Sequence, residues 1–224
     1  MKVCTDACLF GALVSDHITR LPAGKQFDHS LDIGTGTGLL SLMLAQKNNT
    51  LKIDAVEIDA AAAEQAGNNI AASPWAENIQ VFNEDMLNFD SEKKYDCIIS
   101  NPPFFEDDLQ SADKAKNMAR HDTSLNLLQL LQVVENHLGP DGFFAVLLPY
   151  HRVGYFIVES EKKGFHLSRQ ILVMQTTKHN FFRGILFFKR RKTEAQFTEI
   201  IIKDNEHHYT PEFATALKDY YLFL

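Results

Sequence analysis

The stretch Leu31-Asp32-Ile33-Gly34-Thr35-Gly36-Thr37-Gly38-Leu39-Leu40 decides the fold. A short apolar strand runs into three alternating glycines and then into a helical stretch that begins at Leu39. Glycines at such a bend let the backbone turn tightly and approach a ligand closely, while the first N–H groups of the helix point at it. The spacing is GxGxG and differs from the GxGxxG of dinucleotide-binding dehydrogenases. The pattern therefore predicts a ligand site at the end of the first strand.

An acidic residue ends the next expected strand, Lys52-Ile53-Asp54-Ala55-Val56-Glu57. Glu57 follows the last glycine by about twenty residues, which is the position from which a carboxylate binds both ribose hydroxyls of a nucleoside cofactor. The glycine loop alone is weak evidence, but together with this acid it indicates a nucleoside-containing cofactor.

A third motif, Asn101-Pro102-Pro103-Phe104, directly follows the apolar run 95–100. The Asn101 side-chain oxygen can accept one N–H group and the Pro102 carbonyl a second, and the two prolines hold both acceptors in place. The Phe104 ring can stack on a planar base. Taken alone, the motif also fits a proline-rich strand exit with a core phenylalanine.

These three motifs, in this order and at these spacings, together indicate one chemistry. They predict binding of S-adenosylmethionine (SAM) and transfer of its methyl group to an amino nitrogen. The sulfonium methyl donor is already activated, so we expect neither a metal nor a general base before attack. Most of the catalysis would come from positioning, which contributes up to roughly 7–11 kcal/mol in well-oriented systems.

Composition predicts one domain spanning residues 1–224. The chain has 224 residues, of which 45% are hydrophobic, and this is enough for a full core. We find no apolar run near the roughly 18 residues of a membrane span and no signal-peptide layout. Three irregularly spaced cysteines suit neither a disulfide framework nor a zinc site, so we expect reduced thiols, no metal and a cytoplasmic location.

Basic residues are concentrated near the C-terminal end of an otherwise acidic chain. The net charge, 22 − 29 = −7, argues mildly against a general nucleic-acid binder. An acid-free run nevertheless interleaves His179, Phe181 and Phe182 with six basic residues: Lys178, Arg183, Lys189, Arg190, Arg191 and Lys192. This suits a phosphate backbone with splayed bases, and a hairpin with a solvated basic end explains it equally well.

The alternation of strands and helices predicts an α/β fold with a mostly parallel sheet and helices on both faces. We expect strands at 28–33, 51–57, 78–83, 95–100, 143–149, 171–177 and 184–190, and helices at 5–20, 38–47, 59–72, 123–138 and 151–163. Asp59 and either Asp122 or Thr123 are the expected N-caps of two helices. The last two strands are joined by a short loop, so they must be antiparallel. This is the seven-stranded, Rossmann-like arrangement of class I methyltransferases, followed here by a strand at 197–203 and a helix at 211–221.

Several stretches resemble the bacterial valine-tRNA adenine-37 N6-methyltransferases: LDIGTGTGLLSLMLAQ, IDAVEID, SPWAENIQV, IISNPPFF, GFFAVLLP and YYLFL. The resemblance covers nearly the whole chain and implies SAM as cofactor and N6-methylation of a flipped adenosine in the anticodon loop of tRNA. The glycine loop and the Asn-Pro-Pro-Phe motif belong to the wider amino-methyltransferase superfamily. The resemblance to the valine-tRNA enzymes in particular rests on SPWAENI and the closing segment YYLFL.

The family pattern implies the following roles. The catalytic motif is Asn101, Pro102, Pro103 and Phe104. The cofactor side comprises Thr5 and Asp6 near the N-terminus, the loop residues Asp32, Gly34, Gly36 and Gly38, the ribose acid Glu57, Ile58 against the adenine, Asp85 as acceptor for the adenine amino group with Met86 beside it, and Asn101. For Thr5 a simple helix cap is an equally good interpretation.

The candidate RNA-binding residues are Phe105, Arg120, Lys178 and Arg183. Phe105 and Arg120 bracket a polar stretch that precedes the helix expected near Thr123. Long loops at a strand's carboxyl end are often lids, so this stretch can order over the RNA, and a solvated loop of mixed charge fits it equally well. The family usually carries further aromatic and basic residues before the segment that matches Met1, and we expect those to cover the cofactor and grip the tRNA.

Other functions share parts of this pattern. Glutamine N5-methylation of a protein uses the same Asn-Pro-Pro chemistry, but such enzymes carry a helical substrate domain before the glycine loop. Methylation of guanine N2 in ribosomal RNA or of adenine in DNA is excluded less firmly. A non-catalytic SAM-fold RNA-binding module is the alternative from another class, and intact Asn101 and Glu57 argue against it. We expect a monomer.

Overall fold

The computed structural model describes residues 4–20, 26–103 and 125–223. Its helices are α1 (Thr5–Thr19), α2 (Leu39–Lys47), α3 (Ala60–Ala71), α4 (Leu127–His137), α5 (Tyr150–Lys162) and α6 (Pro211–Leu217). Its strands are β1 (His29–Ile33), β2 (Lys52–Glu57), β3 (Ile79–Asn83), β4 (Tyr95–Ser100), β5 (Leu138–Pro149), β6 (His166–Met174), β7 (Phe181–Lys189) and β8 (Gln196–Ile201).

The eight strands form one sheet in the order β3-β2-β1-β4-β5-β7-β6-β8. Strands β1 to β5 are mutually parallel, and β7 runs antiparallel to both β5 and β6. The predicted class I arrangement and its antiparallel hairpin are therefore confirmed. The additional strand β8 pairs in parallel with β6 at the edge of the sheet.

Two hydrophobic cores lie on opposite faces of the sheet, because successive side chains of a strand point to opposite sides. In β5, Phe143, Ala145 and Leu147 pack in the core that includes α1, α2 and α6. The alternate residues Phe144, Val146 and Leu148 pack in the core beneath α4 and α5. Helices on both faces were predicted, and this pattern confirms them. No helix among the described residues is both long and apolar enough to cross a bilayer.

The helix caps differ from the predictions at two places. Asp59 does cap α3, accepting the Ala62 N–H at 2.8 Å. Helix α4, however, begins at Leu127 behind a capping box formed by Asn126 and Gln129, whereas Asp122 and Thr123 lie outside the described residues. Helix α1 has Cys4 as its N-cap and no side-chain cap, so the interpretation of Thr5 as a helix cap is wrong.

Parallel strands bring their carboxyl ends to one edge of the sheet, and ligands of open α/β sheets bind beyond that edge. The glycine loop follows β1, Glu57 ends β2, Asp85 follows β3 and Asn101 follows β4. The fold therefore gathers the three sequence motifs at one edge.

Candidate active site

The glycine loop turns sharply over the end of β2. Gly34, Gly36 and Gly38 have φ angles of 71°, 60° and 84°, a region that residues with a Cβ rarely adopt. The N–H groups of Gly34 and Thr35 donate to the Val56 carbonyl at 2.9 and 3.1 Å. A Cβ at Gly34 would meet no atom of the described residues within 4 Å, so its backbone faces space that these residues leave open. The loop thus presents bare backbone to a ligand.

Both oxygens of Glu57 are held by backbone groups. The Gly36 N–H donates to Oε2 at 2.8 Å, and the Asp59 N–H donates to Oε1 at 3.0 Å. The carboxylate is only partly buried and remains able to accept further hydrogen bonds. It is therefore oriented at the mouth of the glycine loop, as the ribose-binding role requires.

Asp32 lies fully buried beneath the loop. Its Oδ2 accepts from the Thr35 hydroxyl at 2.6 Å and the Ser41 hydroxyl at 2.7 Å, whereas its buried Oδ1 has no partner among the described residues. Burial raises the pKa of Asp32 to about 6, against the lowering effect of the Thr35 and Ser41 hydrogen bonds. Asp32 thus stabilises the loop through Oδ2, while its Oδ1 accepts no hydrogen bond from the described residues.

The end of β3 supplies the groups predicted to surround the cofactor's adenine. Asp85 Oδ1 accepts the Leu87 N–H at 2.9 Å. The Ile58 side chain, 46% exposed, stands beside Glu57, and exposure of so large an apolar group at this edge suits contact with a flat ring. Met86 is buried in the core beneath α4, so its side chain faces the protein interior. Only the backbone at Met86 remains suited to its predicted role.

Asn101 stands at the end of β4, beside the glycine loop. Ser100, the last residue of β4, donates its hydroxyl to the Ile33 carbonyl at 3.0 Å and ties β4 to the end of β1. The Asn101 Oδ1 atom is buried and accepts no hydrogen bond from the described residues. A buried acceptor without a donor costs about 1–3 kcal/mol, and this oxygen is available to a donor that the described residues do not supply.

Of the other residues in the Asn-Pro-Pro-Phe motif, the structure describes the two prolines. Pro102 is buried and Pro103 is exposed. Phe104, Phe105 and Arg120, with the polar stretch predicted as a lid, lie outside the described residues.

Thr5 and Asp6 lie at the start of α1, next to β7. Asp6 Oδ2 accepts from Arg183 Nε at 2.7 Å, and both side chains are largely buried. The structure thus pairs a residue predicted for the cofactor with one predicted for the RNA. Thr5 lies near the Tyr221 hydroxyl. Burial raises the pKa of Tyr221, and a hydrogen bond with Thr5 offsets part of that rise.

The basic run divides between the two ends of β7. Lys178 and Arg183 lie at the carboxyl edge, where Pro149 of β5 pairs with Arg183. Arg190 lies beyond the opposite end, roughly 23 Å away at 3.3 Å per residue. There it donates to the Glu135 carbonyl at 2.7 Å and stacks on Phe165. Lys178 and Arg183 remain candidate RNA contacts, whereas Arg190 holds α4 to the sheet.

The described residues fit SAM. Within the part of the chain that the structure describes, the glycine loop has room for a ligand, Glu57 is oriented, and Asp32 and Asn101 each carry a buried oxygen without a donor. The described residues contain no group of three or more His, Cys, Asp or Glu side chains that could hold a metal ion.

Sequence reasoning missed the residues that support these groups. Thr35 and Ser41 bind Asp32, and Asn83 donates to the Glu57 carbonyl at 2.9 Å. For Thr35 and Asn83 the available signal was a hydroxyl or amide side chain within two residues of a strand end, because the carboxyl ends of parallel strands adjoin one another. Ser41 lies inside α2 and had no such signal.

Comparison with known proteins agrees with this geometry. Residues 1–143 match a protein family described as methyltransferase small domain. A protein from Dyadobacter fermentans named tRNA1(Val) (adenine(37)-N6)-methyltransferase is 40% identical over 99% of this chain and 91% of its own length. Proteins of the same name from Pectobacterium carotovorum and Phocaeicola vulgatus are each 38% identical, over 88% and 91% of their lengths and 100% and 99% of this chain.

Solved structures show the same fold at low identity. A predicted O-methyltransferase from Agrobacterium tumefaciens has a TM-score of 0.69 at 14% identity and covers 95% of each chain. A putative class I SAM-dependent methyltransferase from Listeria monocytogenes has a TM-score of 0.65 at 15% identity, covering 88% of this chain and 67% of its own. Joined to the near full-length relatives, these likenesses show that the chain belongs to the tRNA1(Val) (adenine(37)-N6)-methyltransferase family of class I SAM-dependent methyltransferases.

Proposed function

We propose that this protein transfers the methyl group of SAM to the exocyclic N6 of adenosine 37 in valine tRNA. The observation that carries the proposal is the Asn101 side-chain oxygen, which is buried, has no donor among the described residues and stands beside the glycine loop. An exocyclic amino group is the donor that such an acceptor suits. The names of the relatives supply the choice of tRNA and of position.

SAM supplies an activated methyl group on a sulfonium sulfur. The adenine N6 is a poor nucleophile, because its lone pair is delocalised into the ring. Asn101 Oδ1 and the Pro102 carbonyl would each accept one N6–H, which shifts electron density to the nitrogen and aims its lone pair. As the bond from N6 to the methyl carbon forms, the methyl C–S bond would break and leave S-adenosylhomocysteine, and the surplus N6 proton would leave to solvent.

Two residues, at the ends of β2 and β3, would bind the cofactor. Glu57, fixed by the Gly36 and Asp59 N–H groups, would accept from the ribose hydroxyls. Asp85 would accept from the amino group of the cofactor's adenine. The chain's contribution is thus mainly orientation of two reactants.

We further propose that residues 1–224 act as a single domain and a monomer, in the cytoplasm where tRNA is decoded. Position 37 lies in a single-stranded loop, where extruding a base costs least. Methylation of guanine N2, of DNA adenine or of a protein glutamine remain outcomes of the test.

The test is methyl transfer from labelled SAM to unmodified total tRNA, followed by digestion and nucleoside analysis. We expect N6-methyladenosine, recovered from valine tRNA, and its loss in Asn101→Ala. A different labelled nucleoside would refute the choice of base. Labelling of ribosomal RNA, DNA or protein with none on tRNA would refute the choice of substrate, and SAM binding without turnover on any of them would indicate a binding module.

A further inference from the structure

An exposed tyrosine begins α5 at the carboxyl edge of the sheet and has no part in the chemistry described above. Tyr150 directly follows β5 and is 44% exposed. Its ring packs on Phe181 at the start of β7, with the ring centroids 5.4 Å apart and the planes inclined by 46°. The pair forms a supported aromatic face at the edge where the substrate must enter.

Strand register places this pair close to the catalytic motif. Ser100 of β4 is level with Val146 of β5. Continuing the parallel register by three residues brings Pro103 level with Pro149, and Tyr150 is the next residue. On the other side Pro149 pairs with Arg183, two residues from Phe181. This register therefore places Tyr150 between Pro103 and the start of β7.

The charge around Tyr150 and Phe181 favours binding of a polyanion. Neither 142–158 nor 162–193 contains an acidic residue, although the whole chain has a net charge of −7. Lys178 and His151 are exposed near this edge, and the Asp6 carboxylate is paired with Arg183 of β7. The loop that carries Lys178 is braced, since the Lys178 N–H donates to the Thr176 hydroxyl at 3.2 Å.

We propose that Tyr150, backed by Phe181, is a stacking platform for an unpaired base next to the methylated adenosine. Aromatic faces accept any base, and the basic residues around them attract the phosphates, as in other single-strand binding sites. When one base is extruded, its neighbour loses a stacking partner, and the Tyr150 ring replaces it. This inference rests on the proposed function, because it assumes a single-stranded RNA substrate.

The test measures RNA affinity separately from catalysis. A fluorescently labelled anticodon stem-loop RNA is titrated at fixed salt against wild type, Tyr150→Ala, Tyr150→Leu and Tyr150→Phe, and the SAM affinity of each variant is measured by calorimetry. Tyr155→Ala is the matched control, because Tyr155 is 46% exposed on the same helix but more than a turn further from the edge.

We expect Tyr150→Ala and Tyr150→Leu to raise the Kd for RNA roughly 5- to 150-fold, the range that corresponds to base–aromatic stacking. Tyr150→Phe and Tyr155→Ala should stay within about twofold of wild type, and SAM affinity should not change. The salt dependence of Tyr150→Ala should keep its slope, whereas loss of a phosphate contact would reduce that slope by about 1.

Several results would overturn the platform. One is an RNA affinity of Tyr150→Ala equal to that of wild type, even if the wild type methylates tRNA. Another is a loss of RNA affinity in Tyr150→Phe as large as that in Tyr150→Ala. A third is failure of the wild type to bind the stem-loop. If the stem-loop binds and Tyr150→Ala weakens it, but no tRNA is methylated, the platform stands and the proposed reaction fails.

Discussion

At the scale of single residues, Asn101 and Glu57 address different parts of the reaction. Asn101 offers a buried oxygen that has no donor among the described residues, and Glu57 offers a carboxylate oriented by two backbone N–H groups. Loss of the Asn101 oxygen should lower turnover, and loss of the Glu57 carboxylate should weaken cofactor binding. Kinetic and binding measurements therefore distinguish the two roles.

We expect Asn101→Ala to lower kcat by about 10²-fold or more, as removal of one positioned polar group does in other active sites. Its SAM affinity should stay within about threefold of wild type. Glu57→Ala should instead weaken SAM binding by about 10-fold or more, since hydrogen bonds to charged groups are worth about 1.5–3 kcal/mol each. Single-turnover kinetics and calorimetry measure the two effects.

The neighbouring exposed acid Glu84 provides the control for this comparison, because its backbone N–H, not its side chain, donates to the Glu57 carbonyl. Glu84→Ala should leave both kcat and SAM affinity unchanged. Near-normal turnover in Asn101→Ala would refute the proposed chemistry.

Asp32 should make stability fall as pH rises. Its folded-state pKa is about 6, above the ordinary value of 3.8, so the folded chain binds more protons than the unfolded chain between these values. The contribution of this group is fully present below about pH 4 and is lost as pH rises through about 6. One pKa unit corresponds to about 1.36 kcal/mol, which makes the loss about 3 kcal/mol.

Asp32→Asn keeps an oxygen acceptor for Thr35 and Ser41 but does not titrate. We therefore expect its stability relative to wild type to improve between pH 4 and pH 7, measured by urea unfolding without SAM. A difference that is independent of pH would show that burial does not raise the pKa of Asp32.

At the scale of secondary structure, the sequence predicted the alternation of strands and helices and the antiparallel hairpin, because glycines, caps and apolar runs are local signals. It placed the start of β5 at residue 143, whereas the strand begins at Leu138. Leu138 pairs with Tyr95 across an irregularity in the ladder between Tyr95 and Cys97. That pairing depends on a neighbouring strand, so no local sequence pattern predicts the early start of β5.

The contact between β7 and α5 gives a prediction at this scale. Gly184 lies in β7, and a Cβ there would approach Val153 Cγ2 of α5 to 2.4 Å. Gly184→Ala should therefore lower the free energy of unfolding by about 1–3 kcal/mol, the usual cost of overpacking. Denaturant unfolding measures this.

Val153→Ala combined with Gly184→Ala removes the clashing methyl groups and is the matched control. The double variant should be more stable than the sum of the two single changes implies. Additive losses would mean that the strand and the helix do not meet at Gly184.

At the scale of the whole molecule, the C-terminal segment closes over the first two helices. Gln46 donates to the Asp219 carbonyl at 2.6 Å, and the Tyr220 hydroxyl donates to the Met43 carbonyl at 3.3 Å. Phe213 and Leu217 of α6 are fully buried in the same core as α1. The sequence predicted this helix but not the surface it covers, because that contact joins residues far apart in the chain.

The helix α6 should therefore carry a large part of the stability. Phe213→Ala should cost about 3–5 kcal/mol in unfolding free energy, as large-to-small changes in cores do. Phe223→Ala, at an 89% exposed position, is the control and should change stability by less than about 0.5 kcal/mol. Equal effects of the two changes, measured by urea unfolding, would contradict this role of α6.

The central claim concerns one atom of one nucleotide, and a pair of transcripts tests it directly. Transcribed valine tRNA with adenosine at position 37 is compared with the same transcript carrying guanosine there, each incubated with the enzyme and labelled SAM. We predict label only in the first transcript, recovered after digestion as N6-methyladenosine. Equal labelling of both transcripts, or label in any other nucleoside, would contradict the account.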